Sequence, residues 1–366
     1  MKYCENWNAA RQRFDAWWKR EKTDRPLMRV ISPKEGQLEP LEELTVPADP
    51  EEIHLGAAYQ VAKCRNYCKT YDFLAEAFPS VSLNMGAGSM AFYLGCTPTF
   101  SKDTVWFNEC VPNGWQEFGN LIYDPDNFWW KKHQQVIKEA KALSRDEFLI
   151  CIPDIVENID ILSAMRGPQD TCFDLIDFPE TMHDYLNQVD SLYFNYYNAL
   201  YDLVKLEDNS SSYTAFEIWG YGKTAKVQCD FSAMMSPVQF QDFIVPSLRK
   251  QCKQLDHSMY HLDGRDAIRH VDALMEIDEL DALQWTPGAG QPDGGCELWY
   301  PLYDKVVNAE KGLWIALGGK DITECAGKAK KIVKRYGSTG LYFHFSSMLK
   351  TDALQLINES YSWATL

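Results

Sequence analysis

The sequence predicts a single α/β domain built as a (β/α)8 barrel, in which residues 1–80 form an N-terminal helical extension and the first strand. Its 366 residues lie within the range that α/β barrels occupy as one unit. A hydrophobic fraction of 46% with 24% charged residues is typical of a globular chain with a sizeable core. Short apolar runs alternate with amphipathic helical segments, and the number of these units favours a closed barrel over an open sheet.

The N-terminal part is predicted to hold a helix, a strand and a second helix. Apolar residues recur at helical spacing between Trp7 and Lys22, before a turn signal that ends at Pro26. The apolar run 27–32 then predicts the first strand. After a polar loop that contains prolines, the pattern predicts a second helix from about Pro50 to Ala77.

The remaining chain is predicted to repeat a strand followed by a helix. Residues 148–152 form a short apolar run bounded by Pro153, which is typical of a buried parallel strand, and a helix is expected over 157–165. The later strand and helix pairs are 213–219 with 237–254, 258–262 with 267–277, 282–285 with 301–309, 313–317 with 322–336, and 340–345 with 351–362. In such barrels the loops after the strands carry the chemistry, so we expect the functional residues at the strand ends.

Charge and composition exclude several classes of partner. The net charge of −16 argues against binding to nucleic acid or to anionic lipid, because both require a basic face. The chain begins with polar and aromatic residues, and no apolar run is long enough to cross a bilayer, so we expect a cytoplasmic protein. Eleven scattered cysteines predict reduced thiols. Cys64 and Cys68 share a helical face, but no second pair follows at zinc-ribbon spacing, so core packing is the preferred interpretation.

Several motifs in chain order resemble the uroporphyrinogen decarboxylase-like superfamily. Residues 153–167 resemble its proline-led strand end followed by a helix that ends at glycine. Asp177–Glu180 matches a D-x-P-E element, and Cys229–Asp230–Phe231 with Met235–Ser236–Pro237 matches a second element. His261–Leu262–Asp263–Gly264 resembles a strand end of the corrinoid-linked methyltransferase branch. The resemblance covers most of the chain and implies the barrel fold with its site at the mouth.

The chain departs from the decarboxylases of this superfamily. Arg29 resembles one of the two arginines that pair with substrate carboxylates there, but the second position falls near Pro33. Asn84 stands where those enzymes place an aspartate that contacts pyrrole nitrogens. A strongly acidic chain with a single arginine would hold a poly-carboxylated porphyrinogen poorly. We therefore expect Arg29 and Asn84 to bind a different substrate.

The chain also departs from the zinc site of the methyltransferase branch. The resemblance implies a zinc ion bound by a histidine and two cysteines, which captures a thiol as thiolate. Here Asp263 stands where the first cysteine is expected, and Ser346–Ser347 lie where the second would be. His261 and Asp263 are two apart on a strand and so share a face, which suits a metal, acid/base chemistry or a structural hydrogen bond at the rim.

Other strand ends supply further candidates. Glu217 and Trp219 are predicted to point into the barrel from one strand, so Glu217 is a candidate for catalysis and Trp219 for substrate binding. The remaining candidates for substrate binding are Asp154, Asn158, Gln284 and Trp285, with helix capping as the alternative for Asp154.

The preferred hypothesis is a methyltransferase that moves a methyl group between a small molecule or thiol and a corrinoid carried by a partner protein, with a divalent metal such as zinc at His261 and Asp263. The chain contains no Asp-x-His-x-x-Gly cobalamin signature, so a separate carrier is expected. The alternatives are a decarboxylase or other lyase, a glycoside hydrolase using Glu217 with Asp263 or Asp154, and a non-catalytic small-molecule or corrinoid-accessory protein. Its aromatic helices suggest a homodimer.

Overall fold

The computed structural model describes residues 1–36 and 39–363 and has a mixed α/β fold around a large sheet. The strands are β1 Leu27–Pro33, β2 Tyr71–Ala75, β3 Ser80–Val81, β4 Thr97–Phe100, β5 Val105–Asn108, β6 Leu149–Ile150, β7 Ser210–Tyr213, β8 Ile218–Tyr221, β9 Thr224–Gln228, β10 His257–Asp263, β11 Ala282–Thr286, β12 Gly312–Leu317 and β13 Leu341–Phe345. Seven of them form one sheet in the order β2-β1-β13-β12-β11-β10-β9. All neighbours in this sheet are parallel except β2, which pairs antiparallel with β1.

Helices flank the sheet between its strands. They are α1 Trp7–Trp18, α2 Pro50–Leu55, α3 Ala57–Thr70, α4 Met90–Tyr93, α5 Trp115–Phe118, α6 Phe128–Ser144, α7 Asn158–Arg166, α8 Pro168–Asp177, α9 Pro179–Val204, α10 Pro237–Gln239, α11 Val245–Cys252, α12 Val271–Met275, α13 Tyr300–Asn308, α14 Ile322–Tyr336 and α15 Lys350–Trp363. Within the two described ranges, no helix combines the length and the apolar character that crossing a bilayer requires.

The C-terminal elements agree closely with the sequence prediction. Helix α14 occupies the predicted residues because Asp321 caps its first turn by accepting from the backbone N–H of Glu324, and Gly337 ends it with a positive φ of 78°. Strands β10 to β13 contain the predicted apolar runs 258–262, 282–285, 313–317 and 340–345 to within one residue at each end.

The predicted helix 50–77 is wrong in its extent. The chain forms α2 and α3, separated by Gly56, and then turns at Tyr71 into the edge strand β2. Strand β2 pairs with β1 over five residue pairs, from Arg29 opposite Ala75 to Pro33 opposite Tyr71. The ladder to β1 therefore overrides the helical pattern of residues 71–77.

The predicted strand 213–219 is broken in the middle. Phe216 and Glu217 adopt left-handed backbone angles, with φ of 62° and 49°, and the chain reverses there into the antiparallel hairpin of β7 and β8. The strand that leads towards the 237–254 segment is β9, which the sequence pattern did not reveal. That segment is itself divided into α10, a π-turn at 240–244 and α11.

The sheet is not closed within the described residues, so the predicted (β/α)8 barrel is not confirmed. Strands β3 and β6 form a separate parallel pair, and β7 continues from it through a bridge between Ile152 and Tyr213. On one side, β2 occupies the free edge of β1. On the other, side chains connect the loop after β6 to β9, because Asn158 Nδ2 donates to the carbonyl of Gln228 over 2.7 Å. What is established is an α/β fold with a mainly parallel sheet.

Helix α1 covers the amino ends of the parallel strands. The indole of Trp17 donates to the carbonyl of Gly340, just before β13, over 2.8 Å. The indole of Trp18 donates to the carbonyl of Trp219 over 2.8 Å and stacks on His257 at the start of β10. This arrangement leaves the carboxyl ends of the strands on the opposite side, where the candidate residues lie. All eleven cysteines are free thiols.

Candidate functional site

Adjacent strands present polar and aromatic residues in one register row. Gln228 on β9 lies opposite His261, which lies opposite Gln284 on β11, and the row continues through Trp314 to Tyr342. Because alternate residues of a strand share a face, the residues two positions further along lie on the same side and nearer the carboxyl ends. We call this end of the sheet the mouth.

Three potential metal ligands converge at the mouth. Asp230, His261 and Asp263 each offer a ligand atom, and these atoms lie within 4.8 Å of one another. His261 and Asp263 share a face of β10, as their spacing predicts, whereas Asp230 lies two residues after the end of β9. The sequence analysis placed Asp230 in a family element but not among the candidate site residues. Recognising β9 as a strand would have been the signal that placed Asp230 just beyond a strand end.

The ring of His261 is held in one orientation. Its Nδ1 contacts Oε1 of Gln284, and an amide oxygen can only accept, so Nδ1 carries the hydrogen and the Nε2 lone pair is free. Gln284 is itself oriented because its Nε2 donates to the Thr286 hydroxyl over 2.9 Å. The ring of Phe216 packs against the imidazole at 4.9 Å between centroids. Gln284, predicted to bind substrate, therefore contacts and positions His261.

Carboxylates dominate the electrostatics of this cluster. The amide of Gln228 donates to Asp160 over 2.9 Å and to Asp230 over 3.0 Å, which holds these two carboxylates side by side. Burial and the charge of Asp230 raise the pKa of Asp160 to about 6. Burial also raises the pKa of Asp263, with a further rise from Asp230 and an opposing effect of His261. A cation bound here would relieve this repulsion.

A second charged group lies along the same mouth. Arg29 Nε donates to both carboxylate oxygens of Glu217, at 3.1 and 3.0 Å, and its Nη1 donates to the carbonyl of Phe345 over 3.0 Å. His344 Nε2 lies 3.7 Å from Glu217 Oε1. Burial favours a higher pKa for Glu217, but His344 and Arg29 outweigh it and lower the pKa. Glu217 is thus held ionised, and Arg29 is already paired.

The loop after β6 forms a buried network instead of an open strand end. Asp154 pairs with Lys226 at 2.7 Å and accepts from the Tyr213 hydroxyl over 2.9 Å. Asn158 is buried and bonded to the backbone of β9. Burial by itself lowers the pKa of Lys226, but the charges of Asp154 and Glu157 outweigh burial, so the pKa is raised overall. These contacts give Asp154 and Asn158 a structural role at the junction of β6 and β9.

The other predicted substrate-binding residues differ in placement. Asn84 follows β3 and is half-buried, and its Oδ1 has no hydrogen-bond partner among the described residues. Trp219 is buried near α1, with its ring 5.4 Å from that of Trp7. Trp285 is buried with its ring 5.1 Å from that of Trp299. The structure does not bring either tryptophan to the mouth, because both belong to aromatic packing.

A pocket of about 460 Å³ adjoins the metal-ligand cluster. Its lining combines aromatic and apolar side chains with carboxylates, and includes Trp106, Phe107, Phe231, Met234, Glu109, Asp160 and Asp230. No lysine or arginine is among its described lining residues. Sequence reasoning did not identify Trp106 or Phe107, because they belong to the hairpin of β4 and β5, outside the repeated strand and helix units.

Comparisons with known proteins find a solved structure of similar fold but no match to a family model or a curated protein. No protein-family model matches the chain, and no curated protein matches it. Among solved structures, the chain is similar to a methyltransferase from Methanosarcina mazei, with a TM-score of 0.62 and 12% sequence identity. The similarity covers 98% of this chain and 99% of that one. At this identity the comparison establishes a shared fold over the full length.

Proposed function

We propose that this chain is a methyltransferase with a divalent metal ion, most simply zinc, held at the mouth by Asp230, His261 and Asp263. The observation that carries the proposal is the convergence of three ligand atoms within 4.8 Å. The full-length similarity in fold to a methyltransferase supports the reaction class.

The donor set fits a catalytic metal site. One imidazole nitrogen and two carboxylates leave a position for substrate, as in catalytic zinc sites with three protein ligands. The tautomer of His261 fits, because the amide oxygen of Gln284 accepts a hydrogen bond from Nδ1–H and Nε2 is left to bind the ion. A cation would also offset the mutual repulsion of Asp230, Asp160 and Asp263. When bound, such an ion lowers the pKa of a thiol or hydroxyl that binds to it.

The remaining residues would orient substrate and exclude water. Phe216 packs on His261, and Trp314 packs on both Phe216 and His344, which makes one side of the mouth apolar. The pocket lined by Trp106 and Phe107 leads to Asp230 and would admit the methyl donor or acceptor.

The finer proposal is that a thiol accepts a methyl group from a corrinoid carried by a partner protein. The thiolate sulfur would form the S–CH3 bond, the methyl group would leave the cobalt without the bonding electrons, and the thiol proton would go to solvent. This finer proposal rests on the sequence resemblance at His261–Gly264.

We also propose that the sheet is the larger part of a (β/α)8 barrel. Eight strands, namely β1, β3, β6 and β9 to β13, are each followed by at least one helix. The neighbours among them that pair are parallel. The hairpin of β7 and β8 lies beside β6 and separates it from β9, which supports an interrupted barrel over an unrelated sheet.

The contacts of Arg29 and Glu217 weigh against the alternatives. A decarboxylase would need Arg29 to bind a substrate carboxylate, but Glu217 and the carbonyl of Phe345 already occupy its guanidinium. In a glycoside hydrolase Glu217 could not be the acid, because His344 and Arg29 lower its pKa.

The proposal is tested by metal content and by methyl transfer. Protein purified without chelator is measured by elemental mass spectrometry, and loss of methylcobalamin absorbance is followed with a small thiol under anaerobic conditions. We expect near-stoichiometric metal and thiol-dependent demethylation in the unaltered protein, and loss of both in His261→Ala. His183→Ala, on the outer helix α9, is the matched control and should retain both. Methyl transfer that persists unchanged in His261→Ala would contradict this site.

A further inference from the structure

A second pocket lies on the outer, helical side of the molecule, between α9 and α11. Its volume is about 260 Å³. The rim is formed by exposed or half-buried polar residues, among them Asn187, Asp190 and Lys250. The floor is formed by Glu157, Tyr193 and Gln251, which are 2%, 1% and 5% exposed. These floor residues come from three separate segments, so only the folded chain brings them together.

The floor concentrates polar atoms that have no partner. Glu157 Oε2, the Tyr193 hydroxyl and both amide atoms of Gln251 are buried without a hydrogen bond among the described residues. Burial raises the pKa of the Tyr193 hydroxyl, and the nearby amide of Gln251 opposes this rise, so the two groups lie within reach of each other although their geometry is poorer than that of a proper hydrogen bond. Such an atom is unfavourable while it stays unpaired, because it has lost its hydrogen bonds to water and gained none in the protein. Three side chains with this defect around one pocket indicate a missing hydrogen-bonding group.

The charges around the pocket favour a cation. Lys250 is the single basic residue among the described lining residues, and it is already bonded to Asn187 over 2.6 Å and to Asp190 over 3.3 Å. An anion would therefore find no free positive group. Oxygen atoms of Glu157, Tyr193 and Gln251 supply three acceptors, which is the number of N–H donors on an ammonium group. Phe194 provides an apolar wall for a short alkyl chain.

We propose that this pocket binds a small primary amine, whose ammonium group donates to Glu157 Oε2, the Tyr193 hydroxyl oxygen and the Gln251 amide oxygen. Its alkyl part lies against Phe194 and points to the rim. Burial raises the pKa of Glu157 to about 8 against the opposing charge of Lys226, as expected for a carboxyl group that has no cation beside its second oxygen.

The pocket is separate from the mouth, but Gln228 contacts residues of both. Glu157 Oε1 accepts from the backbone N–H of Gln228, and the side chain of Gln228 bonds to Asp230. The inference does not depend on the proposed methyl transfer, because none of the floor residues is a proposed metal ligand. Bound amine and bound metal can therefore be measured independently.

The test compares a charged probe with a neutral probe of the same size. Binding of n-propylammonium and of n-propanol is measured by calorimetry at a pH slightly above 8, where the ammonium and Glu157 are both charged. We expect saturable binding of n-propylammonium and none of n-propanol. Equal binding of the two probes, or no saturable binding of either, would overturn the proposal and leave a pocket filled by water.

Isosteric variants locate the binding. Glu157→Gln keeps an oxygen that accepts from the backbone N–H of Gln228 but removes the negative charge of the carboxylate. Tyr193→Phe removes the hydroxyl oxygen, which is one of the three acceptors. Each should weaken n-propylammonium binding by about tenfold or more, since a hydrogen bond to a charged group contributes about 1.5–3 kcal/mol. Tyr196→Phe is the matched control, because its hydroxyl is also buried and unpaired but lies outside the pocket. Unchanged affinity in Glu157→Gln would mean that the acidic chain attracts the cation non-specifically. Metal content should stay unchanged in all three variants.

Discussion

The orientation of His261 depends on a single neighbouring side chain. Gln284 is 1% exposed, and its amide oxygen contacts Nδ1 of His261 while its amide nitrogen donates to Thr286. A partner of this kind selects the tautomer and holds the ring still. The polar row across β10 and β11 therefore fixes the orientation of the His261 ring, which the proposed metal site requires.

We expect Gln284→Leu to weaken zinc binding by about 10- to 100-fold while the protein stays folded, because the variant keeps the side-chain volume but loses the Nδ1 contact. Competition with a chromophoric chelator measures the affinity. Gln169→Leu, at an exposed position of α8, is the control and should bind zinc normally. Equal affinity in both variants would mean that Gln284 does not position His261.

Glu157 should give the protein a recognisable dependence of stability on pH. Its pKa in the folded chain is about 8, against an ordinary value of 4.5, because burial disfavours the carboxylate. Between these values the unfolded chain has lost a proton that the folded chain keeps. The free energy of unfolding therefore falls as pH rises, by at most about 1.4 kcal/mol per pH unit from this group.

The Glu157→Gln variant has no carboxyl proton at this position. Its free energy of unfolding, relative to that of the unaltered protein, should therefore rise steadily between about pH 5 and pH 8. Chemical denaturation at several pH values measures the difference. Glu139→Gln, exposed on α6, should show no such trend. A difference that stays constant with pH would show that Glu157 ionises normally.

Among the elements, the hairpin of β7 and β8 has the largest effect on the mouth. Its turn places Glu217 against Arg29 and His344, and its backbone is held by Trp314 and Tyr342, which donate to the carbonyls of Phe216 and Glu217 over 3.1 and 3.0 Å. Two consecutive left-handed residues other than glycine are unfavourable by themselves. These side-chain contacts compensate for that backbone cost.

We expect Glu217→Ala to destabilise the protein by about 2–3 kcal/mol, because it leaves the guanidinium of Arg29 with one carbonyl partner in a largely buried place. Urea unfolding followed by circular dichroism measures the change. Glu297→Ala removes a surface ion pair with Lys331 and should change stability little. A similarly small effect of Glu217→Ala would show that the pair does not hold the hairpin.

At the scale of the whole molecule, the chain carries an excess of negative charge, and several carboxylates are clustered at the mouth. The net charge is −16, and Asp230, Asp160 and Asp263 lie close together. A ligand that binds the folded chain alone stabilises the entire domain. Metal binding at the mouth should therefore be detectable in the global unfolding transition.

Adding zinc to chelator-treated protein should raise the Tm, with a gain of about 2.7 kcal/mol at a free zinc concentration about one hundred times the Kd. Differential scanning calorimetry with and without zinc measures this gain. The double variant Asp230→Asn/Asp263→Asn should show no gain. The same rise in both proteins would place the bound zinc elsewhere.

Local patterns determined much of the fold without reference to the rest of the chain. Helix α14 followed from the Asp321 cap, the spacing of apolar residues and Gly337. Strands β10 to β13 followed from short apolar runs, and the two-residue spacing of His261 and Asp263 placed them on one face. These features are predictable because backbone geometry and capping act over a few neighbouring residues.

Tertiary structure decided what those patterns could not. Strand β9 was missed because it carries Lys226 and Gln228, which can be buried only with partners in the loop after β6, such as Asp154. Glu217 contacts Arg29 across 188 positions in the sequence, at the turn of the hairpin that replaces a predicted strand. Composition and periodicity predicted the layers of the molecule, because burial of apolar surface follows the repeat of each element. The pairing of buried charges depends on distances between remote segments, which exist only once the chain has folded.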